Sequence, residues 1–227
     1  QAYQAARQFG AFTKKLAGCN VNQLKITLPH FHNLTLRYQQ FENALVNGNP
    51  IKIETSCKTI AVIKSLKNIA DEFEIIKQDT DFKIRVTHHD TKISNVLFDE
   101  DDKGMCVIDL DTVMPGYFIS DVGDMLRTYL SAANEEEGDF SKIIIRPDYL
   151  AAITDGYLSE MHDELSVKEK KYFIYAGKFM IYMLAIRFLT DYLNDDIYYG
   201  SKYEGHNLVR AKNQLVLLEQ LNNNHFN

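Results

Sequence analysis

Residues 87–116, THHDTKISNVLFDEDDKGMCVIDLDTVMPG, place a histidine, an asparagine and three aspartates at a spacing suited to phosphoryl transfer. His88-His89-Asp90 gives H-x-D, Asn95 stands five residues after Asp90, and Asp109 and Asp111 follow one hairpin later. Transfer from a nucleoside triphosphate needs a carboxylate to orient the acceptor hydroxyl and take its proton. It also needs oxygen ligands for Mg²⁺ and a rigid in-line arrangement. Asp90 has the position of the base. Asn95 offers a neutral amide oxygen to the metal and Asp109 a hard anionic one, with Asp111 as a further ligand or support. Lys92 stands where it would neutralise charge on the transferred group.

The flanking elements must hold these groups. Residues 83–86 (KIRV) read as a short strand entering the loop and 96–98 as one leaving it. Residues 99–104 (DEDDKG) are a turn by composition. Residues 105–108 read as a buried returning strand that carries Asp109 back toward Asn95. A carboxylate at a buried strand end is costly without a cation or donors, which favours a metal site over an acidic hairpin end serving solubility.

Further along, 120–133 reads as a helix capped by Ser120 or Asp121, with Asp121 and Asp124 also placed to hydrogen-bond the catalytic loop. Residues 115–116 (PG) read as a turn. Upstream, helices are expected at 1–16, 33–45 and 56–77, with a loop at 21–32. Its His30 and His32 invite a metal reading, but no further ligands complete a set. Downstream, 134–141 is an acidic loop, on solvated surface or at the rim of an acceptor pocket. Residues 147–161 form a helix opened by Pro147, and 166–193 form the strongest one, begun by a capping box at Ser166 and Glu169. Within its end, Arg187, Asp191, Asp195 and Tyr198 suggest a polar, aromatic wall for a sugar, against an Arg187–Asp191 ion pair at i,i+4. Residues 206–221 form a last amphipathic helix before a frayed, Asn-rich tail.

Composition bounds the function. The 227 residues suffice for a sizeable core. A formal net charge of −6 argues against nucleic acid as the main partner. No apolar run reads as long enough to span a membrane, and Gln1 opens no signal peptide. Three cysteines, Cys19, Cys57 and Cys106, read as reduced thiols of a cytoplasmic protein. The fold class expected is mainly α with a small β-hairpin (α+β), as one domain over 1–227.

HHDTKISNVLFD followed by VIDLDTVMPG resembles the aminoglycoside phosphotransferase/choline kinase superfamily. The D-x-G-D-x-x-R after it, the late RFLTDYL segment and LPHFHN bring the resemblance closer to the N-acetylhexosamine 1-kinase branch. The resemblance implies the helical C-terminal lobe of a protein-kinase-like fold, with the nucleotide-clamping N-terminal lobe absent. No glycine-rich loop or V-A-I-K strand precedes residue 87, and the chain starts without Met inside a helix, so a fragment with little activity of its own is expected. The implied reaction moves the γ-phosphoryl group of ATP, with Mg²⁺, to the anomeric hydroxyl of a free amino sugar. Asp90 and Lys92 are then catalytic, Asn95, Asp109 and Asp111 metal-binding, and Arg187, Asp191, Asp195 and Tyr198 near the acceptor. Competing readings are a kinase for an aminoglycoside, choline or homoserine, a non-catalytic kinase-like module, and a metallohydrolase built on the histidines.

Overall fold

The computed structural model describes residues 1–223, so the tail expected to fray falls, at 224–227, outside the described residues. The chain is mostly helical with two small antiparallel sheets. In order, the elements are α1 (Ala2–Lys15), α2 (Leu34–Asn47), α3 (Pro50–Thr55), α4 (Cys57–Ser65) and α5 (Asn68–Gln78), then β1 (Arg85–Thr87), β2 (Val96–Phe98), β3 (Gly104–Val107) and β4 (Met114–Gly116). There follow α6 (Phe118–Tyr129), α7 (Pro147–Met161), α8 (Val167–Lys171), α9 (Phe173–Leu193) and α10 (His206–Asn223). They form two compact units, Gln1–His32 with Asp79–Ser131 and Ile145–Met180, and Asn33–Gln78 with Ala132–Ile144 and Ile181–Asn227.

In the first unit α1 packs along α7. Small residues permit the close approach: a Cβ on Gly10 would stand 3.0 Å from the Tyr157 carbonyl, and one on Gly156 would meet the Tyr3 carbonyl. Phe9, Phe118, Ile119, Met125 and Tyr157 are fully buried in this unit. Burying such side chains is worth about 1.5–3 kcal/mol each. β1 pairs with β4, Val86 opposite Pro115, and β2 pairs with β3 with a register shift at Leu97 and Phe98. The expected single hairpin is therefore one of two sheets. Pro115 and Gly116, expected to turn, lie in a strand instead; a proline is tolerated there because β1 is β4's only partner, leaving one side of the strand without a ladder.

In the second unit Phe41, Ile63, Ile76, Tyr182 and Phe188 are buried, and the Tyr182 hydroxyl donates to the Ile63 carbonyl at 2.7 Å. The helix expected over 56–77 is broken. Leu66 leaves helical geometry at φ −99°, ψ 13°, and its N–H and that of Ile69 make three-residue bonds to Ile63 and Leu66. The sequence reading missed α3, although Asn49-Pro50 is a start signal: the Asn49 side chain accepts from the Ile51 and Lys52 N–H groups and Pro50 opens the helix. The acidic loop is tied down through Glu136–Lys202 at 2.6 Å, Glu135–Arg210, and the Asn213 side chain on the Asn134 and Glu137 carbonyls.

Three more expectations need correction. The helix at 166–193 is interrupted at Tyr172, whose N–H turns back to the Glu169 carbonyl, dividing α8 from α9. Helix α6 begins at Phe118 and ends at Tyr129, so Ser120 and Asp121 lie inside it and do not cap it. Helix α9 is by length and composition long enough to cross a membrane, contrary to the reading that no apolar run is; two thirds of its apolar window is buried inside the protein, as a core helix would be.

The Ser166–Glu169 capping box forms as expected and does more than cap. Glu169 is fully buried and takes Arg85 in a two-pronged pair, Nη1 to Oε1 at 2.6 Å and Nη2 to Oε2 at 2.9 Å. Its oxygens also accept from the N–H groups of Lys83 and Ser166, while Arg85 donates to the Glu164 and Lys83 carbonyls. One carboxylate thus fixes both the start of α8 and the entry to β1. Glu169→Ala, which leaves the Arg85 charge buried alone, should cost about 3–5 kcal/mol. Replacing both residues by apolar ones of similar volume should cost less, and urea unfolding midpoints of the two variants check the order.

Candidate active site

The loop between β1 and β2 is shaped by a carboxylate from α6. Asp121, fully buried, accepts from the His89 N–H at Oδ1 (2.8 Å) and the His88 N–H at Oδ2 (3.0 Å). Two amide donors satisfy a charge that would otherwise be costly in the interior. The Thr91 hydroxyl donates to the Asp121 carbonyl at 2.7 Å, the Tyr129 hydroxyl to the Thr91 carbonyl at 2.6 Å, and the Thr112 hydroxyl to the His88 carbonyl at 2.6 Å. Burial, then the charges of Asp124, Asp90 and Asp121, push the Tyr129 phenol well above its ordinary value, so it remains a donor.

Both histidines serve the loop. The His88 ring is edge-on to Phe9 and Phe12 of α1, at 5.1 and 5.8 Å. The Ile108 carbonyl, 3.0 Å from Nε2, can only accept, and the Asp90 N–H, 3.3 Å from Nδ1, can only donate, so the proton belongs on Nε2. His89 has φ 67°, a region uncommon outside glycine. Thr87 Oγ1 donates to the Met114 carbonyl and lies 2.7 Å from His89 Nε2, which is therefore the donor in that pair. Nδ1 then accepts from His32 Nδ1 at 3.2 Å. Gly116 leaves room for this ring, since a Cβ there would stand 2.5 Å from its Cε1. His30 and His32, read as possible ligands, thus join a loop in which His32 is bonded to His89 and stacked on Phe31. Among the described residues no group of three or more His, Cys, Asp or Glu side chains is arranged to hold a metal.

Asp90 emerges from this scaffold partly exposed. Its Oδ1 is 2.8 Å from Lys92 Nζ, and its Oδ2 accepts from Asn95 Nδ2 at 3.0 Å. Asn95 Nδ2 also reaches the Asp90 carbonyl at 2.8 Å, and the Asn95 carbonyl accepts the Ile108 N–H at 2.9 Å. Burial draws the Lys92 ammonium down, but the bond to Asp90 and that carboxylate's charge outweigh it and hold the group above its ordinary value. The hairpin therefore brings the residue before Asp109 to Asn95, as expected. The burial argument for Asp109 needs correction. Met105 and Cys106 on β3 are exposed, and Asp109 itself is exposed at φ 60° before a 3₁₀ turn (Leu110–Thr112). Its carboxylate and that of Asp111 form no hydrogen bond or ion pair among the described residues, nor does Asn95 Oδ1. Each of the three is a hard oxygen donor of the kind Mg²⁺ prefers.

Asp124, expected to hydrogen-bond the loop, lies close enough to feel the charges of Asp90 and Lys92 but accepts from Arg127, at 3.1 Å to Nε and 3.0 Å to Nη2. Burial raises its pKa, opposed by Arg127, and its Oδ2 is buried with no hydrogen-bond partner. The sequence reading missed Thr112, Tyr129 and Gly116, whose contacts depend on β4 and the true start of α6.

Arg187, Asp191, Asp195 and Tyr198 belong to the second unit. Arg187, Asp191 and Tyr198 line a cavity of about 500 Å³ together with Arg37, Asn43, Asn194 and Tyr199. Asp191 accepts from the Tyr198 and Tyr199 N–H groups at 2.8 and 2.9 Å and from Asn207 Nδ2 at 3.2 Å. Asp195 is not among the lining residues; it accepts from Asn49 Nδ2 at 2.9 Å and pairs with Lys52 at 3.3 Å. Arg37 carried no sequence signal, because no spacing rule links α2 to a residue so distant in the chain.

His89 generates a pH prediction. Burial holds its imidazole below the ordinary value of 6.5, against the charge of Asp121. The unfolded chain takes up that proton near 6.5 and the folded chain only at lower pH, so stability is lost as pH falls through this window. Between about pH 7.5 and 5.5 the urea midpoint should fall, and His89→Gln should flatten that fall. An equal fall in the variant would contradict the assignment.

A model of the phosphotransferase enzyme family (APH) matches residues 1–165, well over half of the chain and all of the loop from Asp90 to Asp109. The chain belongs to the APH phosphotransferase enzyme family.

Proposed function

We propose that the protein is an ATP-dependent kinase acting on a small-molecule hydroxyl, with the anomeric hydroxyl of an N-acetylhexosamine as the acceptor that the sequence favours. One observation carries the reading: a partly exposed carboxylate, Asp90, is held at both oxygens by Lys92 and Asn95 on a loop whose backbone is fixed from beneath by Asp121. A base must meet the proton it abstracts in a set geometry, and this arrangement fixes Asp90 without burying it.

In this reading Asp90 orients the acceptor hydroxyl and takes its proton. Asn95 turns its amide nitrogen to Asp90, which leaves the amide oxygen for a cation; Asp109 adds an anionic oxygen, and Asp111 lies close by in sequence to support it. Mg²⁺ held by these residues would supply charge neutralisation at the phosphates of ATP. Lys92, bonded to Asp90, stays charged and is placed to attract the transferred group. In the second unit, the cavity lined by Arg187, Asp191 and Tyr198 is of a size and polarity for a single sugar. Asp195, bonded to Asn49 and Lys52, is a weaker acceptor contact than the other three.

None of the four strands contains a lysine, and among the described residues no strand pair carries a glycine-rich loop. We therefore expect the 227-residue chain alone to bind ATP weakly and to turn over little. A cytoplasmic reaction is part of this reading, with cytoplasmic ATP as the donor.

In the full-length protein, Asp90→Asn should lower kcat by roughly 10²–10⁴-fold and leave ATP affinity largely intact. Activity within a few-fold of wild type would refute the base assignment. Asp109→Asn should instead move the Mg²⁺ dependence of ATP binding to higher concentration, and an unmoved dependence would remove Asp109 from the metal site. Phosphorus NMR of the product over a panel of free sugars, aminoglycosides, choline and homoserine identifies the acceptor; an anomeric sugar phosphate is the expected product.

A further inference from the structure

We propose that the groove between α4 and α10 binds a small amphiphilic carboxylate, its head group held by Lys58 and Lys212 and its apolar chain laid over Val62, Leu215 and Val216. This site takes no part in the kinase reading above and stands or falls without it.

The groove has a volume of about 470 Å³ and lies wholly within the second unit. Helix α4 contributes Lys58, Val62 and Leu66, at i, i+4 and i+8. Helix α10 contributes Lys212, Leu215, Val216 and Glu219, at i, i+3, i+4 and i+7. Each set is one face of its helix. Phe140 adds a ring from a short 3₁₀ turn, Phe140–Lys142. Val62 is 44% exposed, and Leu66, Phe140, Leu215 and Val216 are only partly covered. Apolar side chains gathered along one concave strip in this way favour an apolar ligand.

The charges are ordered along the groove, because both helices run antiparallel to α9. Thr55 Oγ1 lies 3.3 Å from Tyr192 Oη, and eight residues later the Ile63 carbonyl accepts from the Tyr182 hydroxyl. Asn207 bonds Asp191, and three residues later the Arg210 guanidinium stacks on Phe188 at 3.7 Å. Helices α4 and α10 are therefore parallel to each other, and Lys58 and Lys212, which open the two faces, share one end of the groove. Glu219 lies two turns further along α10, about 10 Å at 1.5 Å per residue. The groove is thus cationic at one end and apolar in the middle, with its one carboxylate at the far end.

Lys58, Lys212 and Glu219 form no hydrogen bond or ion pair among the described residues. Other lysines of the same unit do have carboxylate partners: Lys52 pairs with Asp196, Lys67 with Asp71 and Lys202 with Glu136. Two ammonium groups on flexible stems at the mouth of an apolar strip suit a single carboxylate, which both can reach while its chain runs along the strip. A chain of about eight carbons fills the roughly 10 Å before Glu219. A cationic amphiphile would meet two like charges, and a neutral one would leave both ammonium groups unused.

Isothermal titration of the 227-residue chain with octanoate, octanol, octylammonium and acetate tests this. Octanoate should bind about tenfold or more tighter than each of the other three. Replacing both lysines, Lys58→Ala with Lys212→Ala, should bring octanoate down to the level of octanol and leave octanol unchanged. Leu215→Asn should weaken octanoate and octanol alike. Both lysines are exposed, so the double variant should keep the circular dichroism of the parent. Octanol binding as tightly as octanoate would mean an apolar groove without charge recognition and would overturn the proposal. Acetate binding as tightly would mean an adventitious ion only, with the same consequence. So would a preference for octanoate that survives in the double variant, or no binding of any probe. Binding that arises only after residues 224–227 are removed would assign the groove to the chain's own end and would also overturn it. None of these outcomes involves phosphoryl transfer, so failure of the kinase reading leaves them intact.

Discussion

A buried carboxylate without a cation must find hydrogen-bond donors, and Asp121 finds them in the backbone of the loop it supports. That requirement organises the first unit. It fixes α6 against the loop, sets the direction of the His88-His89 peptide groups, and thereby aims Asp90 away from the core. Directly after these two amides the chain turns, and His89 takes a left-handed backbone conformation. Its ring then needs the space that Gly116 leaves, and β4 must run beside β1 to put Gly116 there. His88 goes the other way, into α1, and ties the loop to Ile108 and so to the hairpin that presents Asp109. An uncommon φ costs of order 1 kcal/mol or more, and it persists here because so many contacts determine it.

The second unit repeats the device. Asp191, also buried, holds the N–H groups of Tyr198 and Tyr199 and so shapes the turn after α9. Asp195 and Asp196 adopt left-handed φ values of 63° and 59° in that turn, and Lys52 and Asn49 hold their carboxylates. In both places an aspartate on a helix fixes a segment of backbone from beneath, and a side chain at or next to the fixed amides reaches solvent: Asp90, partly exposed, in one and Tyr198, exposed, in the other.

Much of the site was legible because its residues lie close in sequence. The spacing of Asp90, Asn95 and Asp109 predicted a hairpin that returns to Asn95, and β2 and β3 do this. Apolar periodicity located α2, a first-turn proline α7 and a capping box α8. What the sequence concealed came from partners far along the chain. Glu169 looked like a capping residue and is also the counter-ion of Arg85, 84 positions away. The breaks at Leu66 and Tyr172 carry no proline or glycine to announce them, so apolar periodicity ran straight through both. Pro115-Gly116 has the composition of a turn, and only pairing with β1 makes it a strand. The exposure of Asp109 was misjudged because three apolar residues before it suggested burial, whereas β3 is an outer strand paired on one side only.

Polar side chains in this protein divide by whether the fold itself engages them. Asp121, Glu169, Asp191, His88 and His89 are buried and hydrogen-bonded, which is how a scaffold uses polarity. Asn95 is bonded through its amide nitrogen and its backbone while its amide oxygen has no partner; Asp109 and Asp111 hold carboxylates with none among the described residues. The fold thus orients Asn95 through its backbone and amide nitrogen and leaves its amide oxygen to whatever lies outside the chain. Asp109 takes a left-handed backbone conformation at φ 60°, as Asp102 does in the acidic turn and as aspartate does more readily than most residues. Unengaged oxygen donors on a loop fixed by engaged ones are what the proposed metal site would use.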